Sequence, residues 1–314
     1  MIIPGFFYLF FKRPQMTLAW SIFLVNIVIF AYSQFNFDEW PSKSMSEQVK
    51  DKNFSYAISE MYKQTLDPVE LANWRGTVTA SEALRDHRFW SRVSTFPFQG
   101  DQVQVEINRK LLQQFQKEYY LSSQYQLGLG RIDNSPWSWV TYQFTHASIF
   151  HLLGNMLIIF LLVSYLETSV GLFWLISVYL FSGFGGGVSY LLFEGSGSMA
   201  VVGASASAFG LMAFLVTIKR NQLMPWSYII APVPQGYGII YLPAFFIFPV
   251  FLMTDFITAL WEPAGVTSSV AVSAHVGGAL VGFALGLTYL GEQSLTKYLV
   301  RIWNIDERKL SELE

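Results

Sequence analysis

The sequence predicts an all-α polytopic membrane protein: six spanning helices, with a large extracytoplasmic insert between the first and second. Three observations predict it. Of 314 residues, 52% are hydrophobic and only 13% are charged, against roughly 25% charged in a soluble domain. Six apolar stretches reach or approach the roughly 20 residues that cross a bilayer's hydrocarbon core. With six spans drawn, the basic residues outside the insert all fall on one side of the membrane.

The spans are residues 17–32, 147–166, 171–193, 201–218, 239–260 and 268–290. Lys12 and Arg13 flank the first, Glu167 ends the second, and Lys219 and Arg220 stop the fourth. The apolar start, residues 1–11, is too short to cross and reads as interfacial. A cleaved signal peptide ending near Ala31-Tyr32-Ser33 is the alternative reading of the first span. A retained span makes the even count that the charges favour. Lys12, Arg13, Lys219, Arg220, Lys297, Arg301, Arg308 and Lys309 then share one side, while the opposite short loops near Glu194 and Glu262 carry no basic residue. The positive-inside rule assigns that side, and both termini, to the cytoplasm.

Residues 34–135 are different material, with 12 Lys/Arg, 13 Asp/Glu and polar helix-like runs at 46–64 and 102–119. Long translocated segments largely escape the charge rule, so this stretch reads as an extracytoplasmic insert. Leu127-Gly128-Leu129-Gly130 and Asn134-Ser135-Pro136 read as the linker back to the membrane. The expected divisions are 1–33, an interfacial N-terminus and first span; 34–135, the insert; 136–290, the membrane core; and 291–314, a cytoplasmic tail.

The formal charge of −2 gives no basic excess for nucleic acid, and the absence of cysteine removes disulfides, thiolate metal sites and thiol nucleophiles. Polar side chains at membrane depth are therefore the functional candidates. Three of the four histidines, His146, His151 and His275, lie in or beside spans. His151 and Asn155 stand four residues apart, hence on one helix face. Such a donor pair suits an oxyanion, or merely an interhelical hydrogen bond. A metal face would need further ligands, which the neighbouring sequence does not supply.

Ser205 sits in Gly203-Ala204-Ser205-Ala206-Ser207 at the outer start of the fourth span. Small residues recur there every four positions, a face for close helix approach. His275, Gly278 and Gly282 form one stripe of the sixth span. Two small-residue faces could bring those helices close enough for a hydroxyl to meet an imidazole. Asp255, in the fifth span, reads as structural.

Taken together, the segments resemble the rhomboid family over about residues 136–290. His151-Leu152-Leu153-Gly154-Asn155 resembles the family's His-xxx-Asn, preceded by an aromatic segment from Pro136-Trp137 to Phe144-Thr145-His146. Residues 183–187 resemble its glycine-rich third span. Gly203-Ala204-Ser205, with Phe209 and Gly210 in place, resembles its Gly-x-Ser, and Ala274-His275 with Gly278 and Gly282 resembles its Ala-His-xx-Gly-xxx-Gly.

The resemblance implies a six-helix rhomboid-like bundle and a metal-free, cofactor-free Ser205–His275 dyad. It also implies an oxyanion site from the Ser205 N–H with His151 and Asn155, packing support from Gly203, Gly278 and Gly282, and transmembrane proteins as substrates. It implies the inner (plasma) membrane of a bacterium as the location. The insert is a candidate for partner or substrate recruitment. Where the family has glycine after the serine, this chain has Ala206, whose methyl could crowd the oxyanion region. Ser207 is the competing hydroxyl, disfavoured by its spacing to Phe209 and Gly210. A client-binding relative without activity is the main rival function. A transporter would show inverted repeats, and none is visible.

Overall fold

The computed structural model describes residues 2–4, 17–38, 40–73, 78–130, 135–167, 169–193, 199–220, 222–229, 237–246, 248 and 271–303. Helix α1 spans Thr17–Asn36. Seven helices, all short but the 20-residue α7, follow and make up a short-helix unit: α2 Lys43–Lys50, α3 Lys52–Thr65, α4 Pro68–Asn73, α5 Ala80–Arg85, α6 His87–Arg92, α7 Gln102–Leu121 and α8 Ser123–Leu127. A single turn, α9 Ser138–Thr141, precedes four further helices: α10 Ile149–Leu166, α11 Leu172–Phe193, α12 Ser205–Lys219 and α13 Val272–Trp303. Strands β1 Ile2–Pro4, β2 Leu223–Ile229 and β3 Tyr237–Pro243 form an antiparallel sheet in that order.

Within α1, α10, α11 and α13, residues 18–36, 149–166, 172–193 and 272–300 are long and apolar enough to cross a membrane, while α12 is a shorter apolar helix. Two spans match their expected bounds within a few residues because their ends are chemically marked. The Ser148 hydroxyl accepts from the His151 N–H at 3.1 Å and caps α10. At the other end, the Glu167 carboxylate receives the N–H groups of Leu18 and Ala19 at 3.0 and 3.4 Å, tying the end of α10 to the start of α1.

Residues 2–4, within the apolar start that reads as interfacial, form a strand paired with β2, Ile3 opposite Ser227. Two expectations need correction. Residues 239–243 do not begin a spanning helix; they belong to β3, with Ile240 opposite Trp226. The β-branched run Ile239-Ile240 and Pro243 favour that outcome. Residues Ala244–Phe246 form a 3-10 turn, and residues 247 and 249–260 of the expected fifth span, including Asp255, lie outside the described residues. Residues 201–204 are not helical either, since α12 begins at Ser205.

Two cores are separate. One joins Ala19 and Ile22 of α1 with Leu152, Met156 and Leu162 of α10, Leu175 and Val178 of α11, and Phe214 and Leu215 of α12. The other lies among the short helices, around Met45, Ile58, Leu84, Phe89, Trp90, Leu112 and Phe115. The polar sequence still folds here because its starts are capped: Ser42, Asp51, Thr79, Asp86, Asp101 and Ser122 each accept a backbone N–H at the head of a helix. Thr79 and Glu82 complete a capping box. Arg109 adds a tie by donating to the carbonyls of Val93, Ser94 and Phe96 at 2.8, 2.8 and 3.1 Å.

Helices α11, α12 and α13 approach almost to backbone contact. A Cβ added at Gly278 would collide with the Ala206 carbonyl, and one at Gly282 with the Gly210 carbonyl. At Gly277 it would come 2.5 Å from the Gly185 carbonyl. Residues without side chains permit this approach, the usual route to helix association where lipid gives no hydrophobic drive.

Candidate active site

The tight α12–α13 crossing brings Ser205 and His275 together. Ser205 is the first residue of α12, and His275 lies in the first turn of α13 with its N–H donating to Ala271 at 3.1 Å. The His275 Nε2 stands 2.8 Å from the Ser205 Oγ, across 70 residues of sequence. The imidazole is 6% exposed and stacks against Phe209, one turn further along α12, with ring centroids 4.3 Å apart. A buried base holding a hydroxyl at hydrogen-bond distance is the arrangement from which a serine nucleophile is made.

His151 and Asn155 reach the same neighbourhood from α10. Gly203 has φ +128°, a conformation that L side chains rarely adopt. A Cβ there would lie 2.7 Å from the His151 Cε1, 2.9 Å from its Nε2 and 3.7 Å from the Asn155 Nδ2. The glycine thus lets the backbone entering Ser205 press directly onto both side chains. Its N–H donates to the Tyr142 carbonyl at 2.9 Å. The Asn155 Nδ2 is buried and makes no hydrogen bond among the described residues. Such a donor is costly to leave unused in a folded interior. The first N–H groups of α12, that of Ser205 among them, likewise have no intrahelical acceptor.

Ser207 is occupied elsewhere. Its hydroxyl is fully buried and donates to Gln143 Oε1 at 3.3 Å. The Ala206 methyl is accommodated by Gly186 of α11, where an added Cβ would overlap it. It packs in a small cluster with Tyr190 and Ala274. Gly278 and Gly282 lie at the α12–α13 contact.

Several contributors were not singled out from sequence. Tyr142 supplies the carbonyl for Gly203 and bonds the Gly183 carbonyl through its hydroxyl. Gln143 occupies the space that Gly183 leaves open. His146, already noted in the sequence among the histidines in or beside spans, packs its ring 5.2 Å from that of His151. The aromatic run 137–144 drew attention to this stretch, but nothing local in it marks Tyr142 or Gln143. Among the described residues no cluster of three or more His, Cys, Asp or Glu could hold a metal ion.

The chain is similar to known proteins. RHOMBOID-like protein 1 of Arabidopsis thaliana is 32% identical over 154 residues, covering 49% of this chain and 34% of that protein. RHOMBOID-like protein 6, mitochondrial, of the same plant is 32% identical over 158 residues, covering 50% of this chain and 45% of that protein. The matches thus span less than half the length of either relative. The profile of the rhomboid domain matches residues 133–292, about half of the chain. It runs from just before Ser138 through the helices that carry His151, Ser205 and His275, and on this match the chain belongs to the rhomboid family.

Proposed function

We propose that the chain is an intramembrane serine endopeptidase that cleaves transmembrane proteins in or near their membrane helices. The 2.8 Å contact between Ser205 Oγ and His275 Nε2 carries the reading. The Ser205 oxygen attacks the scissile carbonyl carbon while His275 takes its proton. The resulting oxyanion is held by the Ser205 N–H and by the side chains of His151 and Asn155. Collapse of the adduct breaks the C–N bond, and His275 passes its proton to the departing amine. Water, deprotonated by the same imidazole, then attacks the acyl-serine ester and releases the carboxylic acid. No metal or cofactor enters.

Substrates must unwind locally, because an intact helix keeps its carbonyls hydrogen-bonded. Small or helix-breaking residues near the scissile bond are therefore expected. In this reading both termini face the cytoplasm, residues 34–135 form an extracytoplasmic insert, and 136–290 form the catalytic core. Of the six expected spans, the fifth has its residues 249–260 outside the described part of the chain.

The test is cleavage of a model transmembrane substrate by the full chain in liposomes. Ser205→Ala and His275→Ala should each lower turnover by at least about 10³-fold, with unfolding temperature preserved. Ser207→Ala should remain active. Undiminished cleavage by Ser205→Ala rejects the reading. Absence of cleavage by the wild type across varied substrates, with retained binding, indicates a client-binding relative.

A further inference from the structure

The residues that lead into Ser205 are held mainly by residues 85–129, with one bond from Tyr190 of α11. Residues 199–201 run extended into Gly203, and each of their backbone polar groups is bonded. The Met199 N–H donates to the Arg85 carbonyl at 3.3 Å, and the Met199 carbonyl accepts from the Tyr190 hydroxyl at 2.5 Å. The Ala200 N–H donates to the Tyr119 hydroxyl at 2.8 Å, and the Ala200 carbonyl accepts from Gln124 Nε2 at 2.9 Å. Val201 exchanges both bonds with Leu129, at 2.6 and 3.0 Å. All of these partners except Tyr190 come from residues 85–129.

Packing repeats the pattern. Met199 belongs to the same buried core as Phe115 and Tyr119. Gly128 and Gly130 flank Leu129 where the two chains touch. A Cβ on Gly128 would come 2.9 Å from the Ala200 Cβ, and one on Gly130 would come 3.3 Å from the Met199 carbonyl. The Leu127–Gly130 stretch that reads as a linker is thus an antiparallel partner for the residues before the serine.

We infer that Tyr119 and Gln124 are positioning residues for the nucleophile: they hold the peptide groups on either side of the Ala200 Cα and fix the path on which Gly203 meets His151 and Asn155. This rests on the protease reading of Ser205. One bond to the peptide plane before the Ala200 Cα and one to the plane after it fix the φ and ψ of that residue, and three residues later the chain must adopt the left-handed geometry of Gly203. An N–H group aimed at an oxyanion loses much of its effect when displaced by a fraction of an ångström.

Three measurements on the full chain test the inference: kcat and KM on a transmembrane substrate, the rate of Ser205 modification by a fluorophosphonate, and hydrogen exchange of the amides of residues 199–205. Tyr119→Phe and Gln124→Leu should each lower kcat and the modification rate about tenfold, leave KM within about twofold, and speed exchange at Ala200. Tyr56→Ala, an exposed position on α3, should match wild type in all three. Wild-type kcat and modification rates in both variants would overturn the inference, as would unchanged exchange in an active enzyme. A wild type inert to both substrate and fluorophosphonate, with exchange at Ala200 still accelerated in the variants, would instead place the failure in the protease reading. A variant that unfolds is recognised by fast exchange throughout α7.

Discussion

The ring of Phe209 lies nearly parallel to the imidazole of His275, with 18° between the planes and 4.3 Å between centroids. Both rings come from the helices that carry the dyad, so the stack holds the base at the angle at which its Nε2 faces Ser205. Aromatic stacking contributes about 0.5–1.5 kcal/mol beyond buried area. Phe209→Leu, close in volume, should cost less than about 1.5 kcal/mol of stability yet lower kcat about three- to tenfold. Thermal unfolding and substrate cleavage measured side by side check this; equal turnover in the variant would deny the stack a role in orienting the base.

The α12–α13 contact tolerates no added carbon. At Gly278 and Gly282 a methyl would fall on the carbonyls of Ala206 and Gly210, which are backbone and cannot swing aside. Gly278→Ala and Gly282→Ala should each destabilise by about 1–3 kcal/mol or more and lengthen the Ser205–His275 distance. Lower unfolding temperatures together with slower fluorophosphonate labelling would show both effects.

Ala206 should not be a handicap. Its methyl occupies the notch opposite Gly186 and is 2% exposed. Ala206→Gly, which restores the residue usual in the family, should lower stability by about 1 kcal/mol through the lost contact and the lower helix propensity. It should not raise kcat. A clear gain in turnover would mean that the methyl obstructs the reaction.

The short-helix unit carries an acid-sensitive joint at Asp86. Burial favours its protonated form, but hydrogen bonds from the Arg88 side chain and N–H, and from the Tyr62 hydroxyl at 2.9 Å, outweigh this and hold the carboxyl below its ordinary range. A depressed folded pKa means that this stabilisation is complete above the unfolded value of about 3.9 and is lost as pH falls through the folded value. Asp86→Ala, which also removes the α6 cap, should cost about 1–3 kcal/mol at neutral pH. It should also flatten the acid limb of the unfolding curve. A variant as acid-sensitive as wild type would assign that limb to other carboxylates.

Much of the fold was legible wherever a chemical mark ends an apolar run. Ser148 and Glu167 bracket α10, and Phe193 closes α11 where hydrophobicity stops. The meeting of Ser205 with His275 was foreshadowed by the small residues on both helices, since only such faces allow that approach. The start of β3 was not legible as a strand, because Ile239 to Leu242 is as apolar as a span and its partner, Leu223–Ile229, shows only in tertiary pairing. Residues 201–204 misled for a related reason. Their apolar character suits a helix, yet Gly203 holds φ +128° and Val201 pairs with Leu129. The bond between Ala200 and Tyr119 joins positions 81 residues apart, and no local pattern announces it.

In the protease reading proposed above, the brevity of α12 has a consequence for where a client is cut. Its 15 residues rise roughly 22 Å, at about 1.5 Å each, against a hydrocarbon thickness of about 30 Å. With the Lys219 end at one face, the serine end would stop several ångströms short of the other. The apolar residues Met199 to Gly203 would then lie at that depth, with the backbone groups of residues 199–201 already bonded to protein, as backbone beneath the headgroups requires. A bond broken there lies about one to two helical turns inside the client's own span, so the released fragment keeps a short greasy stub at its new end.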